Sequence, residues 1–343
     1  MRSDSGEFGM DHARNQDNRS TQAGSSALAY DRLVGFGEAM VRLSTPVGET
    51  LETAPSLSTH VGGAELNGLI AATAFGMPST WVSAVGDDIV GHRIVRHARS
   101  YGVTTALQIT DDARSGLYFV EIAAYPRSTR VFYDRKWSAA SFLSRGAIDW
   151  DEQLTPQTCF YSSGITAGIS SAARGALEEA MDHARTVGAV VAFDINYRRG
   201  LWPADQAYAW MSSVISAVDI LSVSNADLLH LGQSADDLAA ARIGLGVNTL
   251  VVSTKERTPE AIKVTVSAID EGGVSEATGE AAIVDPFGAG DAMFGAFLAT
   301  APSRGRQVGV EHALKAALIT YGIRGDAMDA DPTTALDHGR ILR

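Results

Sequence analysis

The chain has 343 residues, is 45% hydrophobic and carries a formal charge of −12 at pH 7, enough apolar material for one large α/β domain or two ordinary ones. So acidic a balance (pI near 5.1) argues against a general nucleic-acid binder, which sets a basic face against phosphate, and requires any anion site to be locally positive. One cysteine, Cys159, excludes an internal disulfide and cysteine-held zinc; no run approaches the roughly 20 apolar residues of a membrane span, and no apolar signal core opens the chain, so the cytoplasm is the expected compartment.

Residues 1–29 are polar and aperiodic and are expected to form a disordered tail. From Asp31 onward, apolar runs alternate with helical patterns. "LVGFGE" reads as a strand. "AELNGLIAATAFG" carries a helical stripe at Leu66, Leu69, Ile70 and Ala74, with Gly76 as its C-cap. "STWVSAVG" is a strand and "DIVGHRIVRHARSYG" a helix ending at Gly102. "GLYFVEI" and "TRVFYDRK", separated by a proline-containing turn, read as a hairpin or two strands of a small sheet. A clear βα rhythm follows: strand "CFYSSG", helix "AARGALEEAMDHARTVG", strand "AVVAFDIN", helix "AYAWMSSVISAV", strands "DILSVS" and "TLVVST", and late helices "AGDAMFGAFLATA" and "EHALKAALITYGI". Strand followed by helix predicts a mostly parallel sheet with helices on both faces. The strands around 38–60 and 114–135 depart from that rhythm and are expected to form a β lid over one end of the sheet.

The stretch "DPFGAGDAMFGAF" carries the densest chemistry. Gly288 and Gly290 permit a tight loop with free N–H groups at the start of a helix, and such an end favours an anion. Asp291 in the first turn would repel a bound phosphate, unless it takes a proton from an attacking hydroxyl. Phosphoryl transfer needs that combination; an Asp-capped helix after a glycine turn is the alternative. The chain has no G-x-x-x-x-G-K-[ST] loop, and Gly35 and Gly37 are not followed by the third glycine of a dinucleotide fingerprint.

"DPFGAGDAMFGAF" resembles the C-terminal signature of the ribokinase-like (PfkB-type) sugar kinases, and "VGGAELNGLIAATAFG" with "VSAVGDDIVG" resembles their N-terminal signature. The similarity covers nearly all of 31–340. It implies a ribokinase-like α/β kinase domain over 30–343 that binds ATP and Mg²⁺. "VFYDRKWSAAS", "SSGITAGIS", "FDINYRRGLW" and "GIRGDAM" are most similar to 2-keto-3-deoxygluconate kinases, which implies a sugar acid as the small-molecule partner. A kinase of a neutral sugar such as fructose or ribose, and a catalytically weak sugar-binding relative, are the competing readings.

By that resemblance Asp291 is the base, and the N–H groups of Ala289, Gly290 and Asp291, behind Gly288, cradle the phosphoryl group. Gly62, Gly63 and Asn67 line the sugar hydroxyls, Arg135 and Arg198 bind its carboxylate, and Tyr118, Tyr133 and Asp326 stand at the substrate end. Glu38 either bonds the sugar or ends a strand. The family's N-x-x-E segment aligns with Ser222 and Asn225, and its G-x-x-G phosphate turn is replaced by "KERTPEA", where Lys255 supplies charge without the glycine geometry. Mg²⁺ is expected to rest on phosphates and water rather than on protein ligands. A lid-sheet edge invites pairing with another lid, hence a homodimer.

Overall fold

A computed structural model describes residues 29–123, 127–234, 236–258 and 261–333. Residues 1–28 of the expected tail, and Pro259 and Glu260 at the tip of "KERTPEA", lie outside the described residues. The chain begins with β1 (Arg32–Phe36), β2 (Met40–Ser44), β3 (Ser58–Gly62), α1 (Ala64–Ala74), β4 (Ser79–Gly86), α2 (Ile89–Ser100), β5 (Thr104–Thr110), β6 (Leu117–Glu121) and β7 (Arg130–Asp134). It continues through α3 (Trp150–Gln153), β8 (Thr158–Ser163), α4 (Gly164–Ile169), α5 (Ser171–Val187), β9 (Val190–Asp194), α6 (Ala204–Val214), β10 (Ile220–Ser224), α7 (Asn225–His230) and α8 (Leu238–Leu245). The last elements are β11 (Thr249–Arg257), β12 (Ala261–Asp270), β13 (Gly273–Ala282), α9 (Ala289–Arg304) and α10 (Arg306–Tyr321).

Nine strands form one sheet in the order β13-β12-β11-β10-β9-β8-β1-β4-β5. It is parallel from β11 through β5, and β12 and β13 join antiparallel. The expected mostly parallel sheet is therefore present, with an antiparallel edge. Period-2 alternation divides its side chains between two cores. Cys159, Tyr161 and Ala192 pack with α1, α9 and α10, while Phe160, Val191 and Phe193 pack with α5 and α6. Caps set the helix ends: Asp88 and Ser170 accept from Gly91 N and Ala173 N at 2.6 and 3.0 Å, and Gly188 closes α5 at φ 78°. Gly76, expected as the C-cap of α1, lies one residue beyond the cap Phe75, at φ 91°.

A separate four-stranded sheet runs β3-β2-β6-β7. "GLYFVEI" and "TRVFYDRK" pair antiparallel within it, Tyr118 opposite Tyr133. Three strands were not foreseen: β5, a partly exposed edge, and the β12–β13 hairpin. The hairpin also changes the reading of "KERTPEA". β11 runs on through Arg257 and pairs with β12, so Lys255 sits on a strand opposite Val264 rather than in a loop. Chain order runs from β1 to β4 and β5 on one side, and through β8, β9 and β10 on the other. The reversal lies between β1 and β8, and in such sheets ligands gather beyond the carboxyl ends of the strands at that place. Among the described residues no helix is long and apolar enough to cross a membrane.

Candidate active site

Two glycines bring the central pair of side chains together. A Cβ on Gly295 of α9 would lie 1.9 Å from the carbonyl oxygen of Gly68 in α1, so only glycine lets the two helices approach this closely. Asn67, next to Gly68, then reaches Asp291, one turn before Gly295, and its Nδ2 donates to Asp291 Oδ2 at 2.8 Å. Asn196 Nδ2 donates to Oδ1 at 3.2 Å from just beyond β9, where Asn196 takes a left-handed φ of 41°. Asp291 is buried and its pKa is raised to about 6: burial drives it up, the Asn67 bond and Arg198 hold it down, Asp326 adds repulsion, and the Asn196 bond again lowers it.

Asp291 stands in the first turn of α9. Gly288 is the N-cap at φ 74°, no side chain caps this end, and the first intrahelical bond joins Ala292 N to Gly288 O at 2.9 Å. The N–H groups of Ala289, Gly290 and Asp291 thus precede the helical ladder and have no partner within it. A Cβ on Gly288 would fall 1.7 Å from the carbonyl oxygen of Asp326.

The glycine loop is anchored by a buried arginine that the sequence reading missed. Arg42 of β2 is fully buried; it forks onto Asp285 (Nη2–Oδ2 2.8 Å, Nη1–Oδ1 3.2 Å), donates to Asp326 Oδ1 at 2.9 Å, and stacks on Phe287, 4.5 Å from the ring centre. Tyr118 Oη donates to the other Asp326 oxygen at 2.6 Å. One network therefore ties the small sheet (Arg42, Tyr118) to the loop before α9 (Asp285, Phe287) and to the loop after α10 (Asp326). The expected substrate-end residues Tyr118 and Asp326 are brought together, with the hydroxyl engaged by the carboxylate.

Two further carboxyls surround Asp291. Asp194, ending β9, is pushed up to about 8 by burial and then by Asp291 and Asp227, against Arg198 and a hydrogen bond from Ser222. Glu65 of α1 is raised to about 7, burial again leading. Its Oε1 accepts from Ser163 Oγ (2.6 Å) and Thr166 Oγ1 (2.8 Å), and its buried Oε2 has no partner. Like charges packed this closely cannot all ionise. Asp194 keeps its proton at neutral pH and Asp291, held by two amides, gives its proton up, so the two carboxyls diverge into neutral and charged roles.

Arg135 is buried against Glu38: Nε and Nη2 reach Glu38 Oε2 at 2.8 and 2.5 Å. Arg135 also lies over Tyr133, which stacks on Tyr118 with ring centres 5.9 Å apart. Glu38 is thus an ion-pair partner rather than a bare strand end, and its buried Oε1 is unpartnered. Arg198 is exposed and lowers the pKa of both Asp291 and Asp194. Gly62 and Gly63 serve close packing: Cβ atoms there would lie 2.3 Å from Tyr118 Oη and 2.4 Å from the Glu38 carbonyl oxygen. The buried Asn67 Oδ1 remains a free acceptor beside them.

On the expected nucleotide side, Lys255 Nζ lies 3.8 Å from where a Cβ on Gly290 would be, which brings its ammonium to the start of α9. Ser222 is placed deeper than expected. It is buried inside β10, level with Asp194 on β9. The i, i+3 pair at the strand–helix junction is Ser224 and Asp227, which form a capping box, and Asp227 also accepts from Tyr208 at 2.6 Å. Asn225 begins α7, its Oδ1 buried without a partner. Among the residues gathered around Asp291, Asn196 and Asp194 lay within the quoted "FDIN" and Glu65 within the quoted "VGGAELN", none of them singled out, whereas Arg42 lay in no quoted stretch.

The comparisons agree with this fold. The profile described as pfkB family carbohydrate kinase matches residues 31–319. A 2-dehydro-3-deoxygalactonokinase of Haloferax volcanii is 36% identical over 270 residues, 78% of this chain and 83% of the relative. A 2-dehydro-3-deoxygluconokinase of Thermoproteus tenax is 31% identical over 319 residues, 90% and 94% of the two chains. The crystal structure of a 2-dehydro-3-deoxygluconokinase from Thermotoga maritima superposes with a TM-score of 0.82 at 28% identity, covering 89% of this chain and 98% of that one.

Proposed function

Because the chain belongs to the pfkB family of carbohydrate kinases, we propose that it transfers the terminal phosphoryl group of ATP to the terminal hydroxyl of a sugar acid, 2-keto-3-deoxygluconate first among them. One observation carries this reading: a buried carboxylate with its pKa near 6, held by two amides, stands beside unpartnered N–H groups at a helix start. Asp291 takes the hydroxyl proton as the hydroxyl oxygen bonds to phosphorus, and the bond to the leaving ADP breaks. The N–H groups of Ala289 and Gly290, with Lys255 alongside, stabilise the charge on the moving phosphoryl.

The sugar lies between Asp291 and the small sheet. Arg198 and Arg135 hold the carboxylate, and the free oxygens Glu38 Oε1 and Asn67 Oδ1 accept from sugar hydroxyls. Closure of the small sheet as a lid keeps water from the phosphoryl group. Magnesium, when bound, supplies charge neutralisation on the ATP phosphates. Among the described residues no group of three or more His, Cys, Asp or Glu is placed to hold a metal ion; in this reading the ion is carried by phosphate oxygens and water. The outer strand β7 leaves Phe132 and Tyr133 partly open, which fits pairing with a second copy; a sedimentation mass of one chain would overturn the homodimer.

The test is an ADP-release assay over a panel of sugar acids and neutral sugars. Turnover concentrated on 2-keto-3-deoxy sugar acids supports the reading. Preference for fructose or ribose replaces it with a neutral-sugar kinase, and binding without turnover with a sugar-binding protein.

A further inference from the structure

A cavity of about 670 Å³ opens between α2, β3 and the loop after α10. Of the candidate active-site residues, it is lined only by Asp326. Arg93, Arg96 and His97 project into it from successive turns of α2, and Arg324 faces them from the opposite loop. None of the three arginines makes an ion pair among the described residues. Arg93 is steadied by Thr59, whose Oγ1 accepts from Nη2 at 2.8 Å.

Of the two carboxylates in the lining, Asp326 accepts from Arg42 and Tyr118, and Asp329, exposed, stands near Tyr101 and His97 and raises the pKa of both. His97 Nε2 is buried without a partner. On a chain of net charge −12, three guanidinium groups without an ion-pair partner among the described residues face one cavity against two carboxylates, one of which is already bound by Arg42. They match the several acceptor oxygens of a phosphate group, for which guanidinium is the fitted donor.

We propose that this cavity binds a small phosphorylated anion and that its occupancy acts on the sugar site. The link is the loop itself. Arg324 would hold the anion two residues from Asp326, whose carboxylate takes Arg42 and Tyr118 and whose carbonyl oxygen packs on Gly288. Drawing Arg324 toward α2 therefore moves the anchor of both the small sheet and the glycine loop, a shift that changes sugar affinity more than the chemical step.

Calorimetry with inorganic pyrophosphate, in the presence of a saturating non-hydrolysable ATP analogue, tests the site. Binding should persist in the wild type and in Lys255→Glu, and weaken about tenfold or more in Arg96→Glu and in Arg324→Glu. Both arginines are exposed, and the thermal midpoints of these variants should stay at the wild-type value. No binding to the wild type, or binding indifferent to both substitutions, overturns the site. The KM for the sugar acid should change with pyrophosphate in the wild type and not in Arg96→Glu; an unchanged KM overturns the coupling. The binding arm needs no turnover, so it stands or falls separately from the proposed kinase activity.

Discussion

Replacing Asn67 with leucine, which has the same branched heavy-atom skeleton, should move the pH profile of the enzyme without moving its folded structure. Asn67 Nδ2 donates to Asp291 Oδ2 at 2.8 Å and is the largest of the influences holding the aspartate's pKa down to about 6. A hydrogen bond to a charged acceptor contributes about 1.5–3 kcal/mol and one pKa unit corresponds to about 1.36 kcal/mol, so its loss raises the pKa by ~1–2 units. The sign is fixed: the variant's Asp291 stays protonated to higher pH, and a protonated carboxyl cannot accept the hydroxyl proton. At pH 7 the ionised fraction falls from about nine-tenths to between about a half and a tenth. The assay is kcat/KM for the sugar acid from pH 5 to 9, which reports groups of the free enzyme. Lost sugar contacts lower the whole curve, but only a changed pKa displaces its acid limb. An acid limb that coincides with the wild type's, or lies below it, would refute the assignment of Asp291 as the group titrating near 6.

Gly295→Ala sets a methyl group against the Gly68 carbonyl, forcing α1 and α9 apart; overpacking of this kind costs about 1–3 kcal/mol, read as a lower denaturant midpoint, with activity falling further than stability does. Arg42→Ala leaves Asp285 and Asp326 buried without their cation and should destabilise by about 3–5 kcal/mol, whereas a midpoint near the wild type's would mean that the network is not a structural anchor. Arg135→Ala should raise KM for a sugar acid far more than for a neutral sugar, and equal effects would remove the carboxylate from its account.

Much of this architecture was legible because its signals are local. The continuous apolar runs in "CFYSSG" and "AVVAFDIN" announce strands covered by helices on both faces, and Cys159, Phe160 and Tyr161 do divide between the two cores. The β12–β13 hairpin was also written in the sequence, in Ile262, Val264, Val266 and Ala268 at period two, but β13 is a polar edge that reads as loop. Missing it made Lys255 a loop residue, when the hairpin holds it on a strand beside Gly290.

In the site, Asp291 and its glycines were readable because a tight turn and a lone acid at a helix start have few other uses. Arg42, Glu65 and Asn196 were not, since each acquires its partner only when distant elements pack: 243 residues separate Arg42 from Asp285. The same packing changes what Gly62 and Gly63 do. Sequence similarity puts them beside the sugar, and the structure adds that they clear space for Tyr118 and for the backbone at Glu38.

The central claim is that Asp291 is the base of a phosphoryl transfer to a sugar acid. Its most direct test is the turnover of Asp291→Asn on 2-keto-3-deoxygluconate with ATP, with the phosphorylated product identified by mass spectrometry and sugar binding followed by calorimetry. The account predicts that sugar binding persists while kcat falls by about 10²–10⁴. Turnover of Asp291→Asn at the wild-type rate would contradict it.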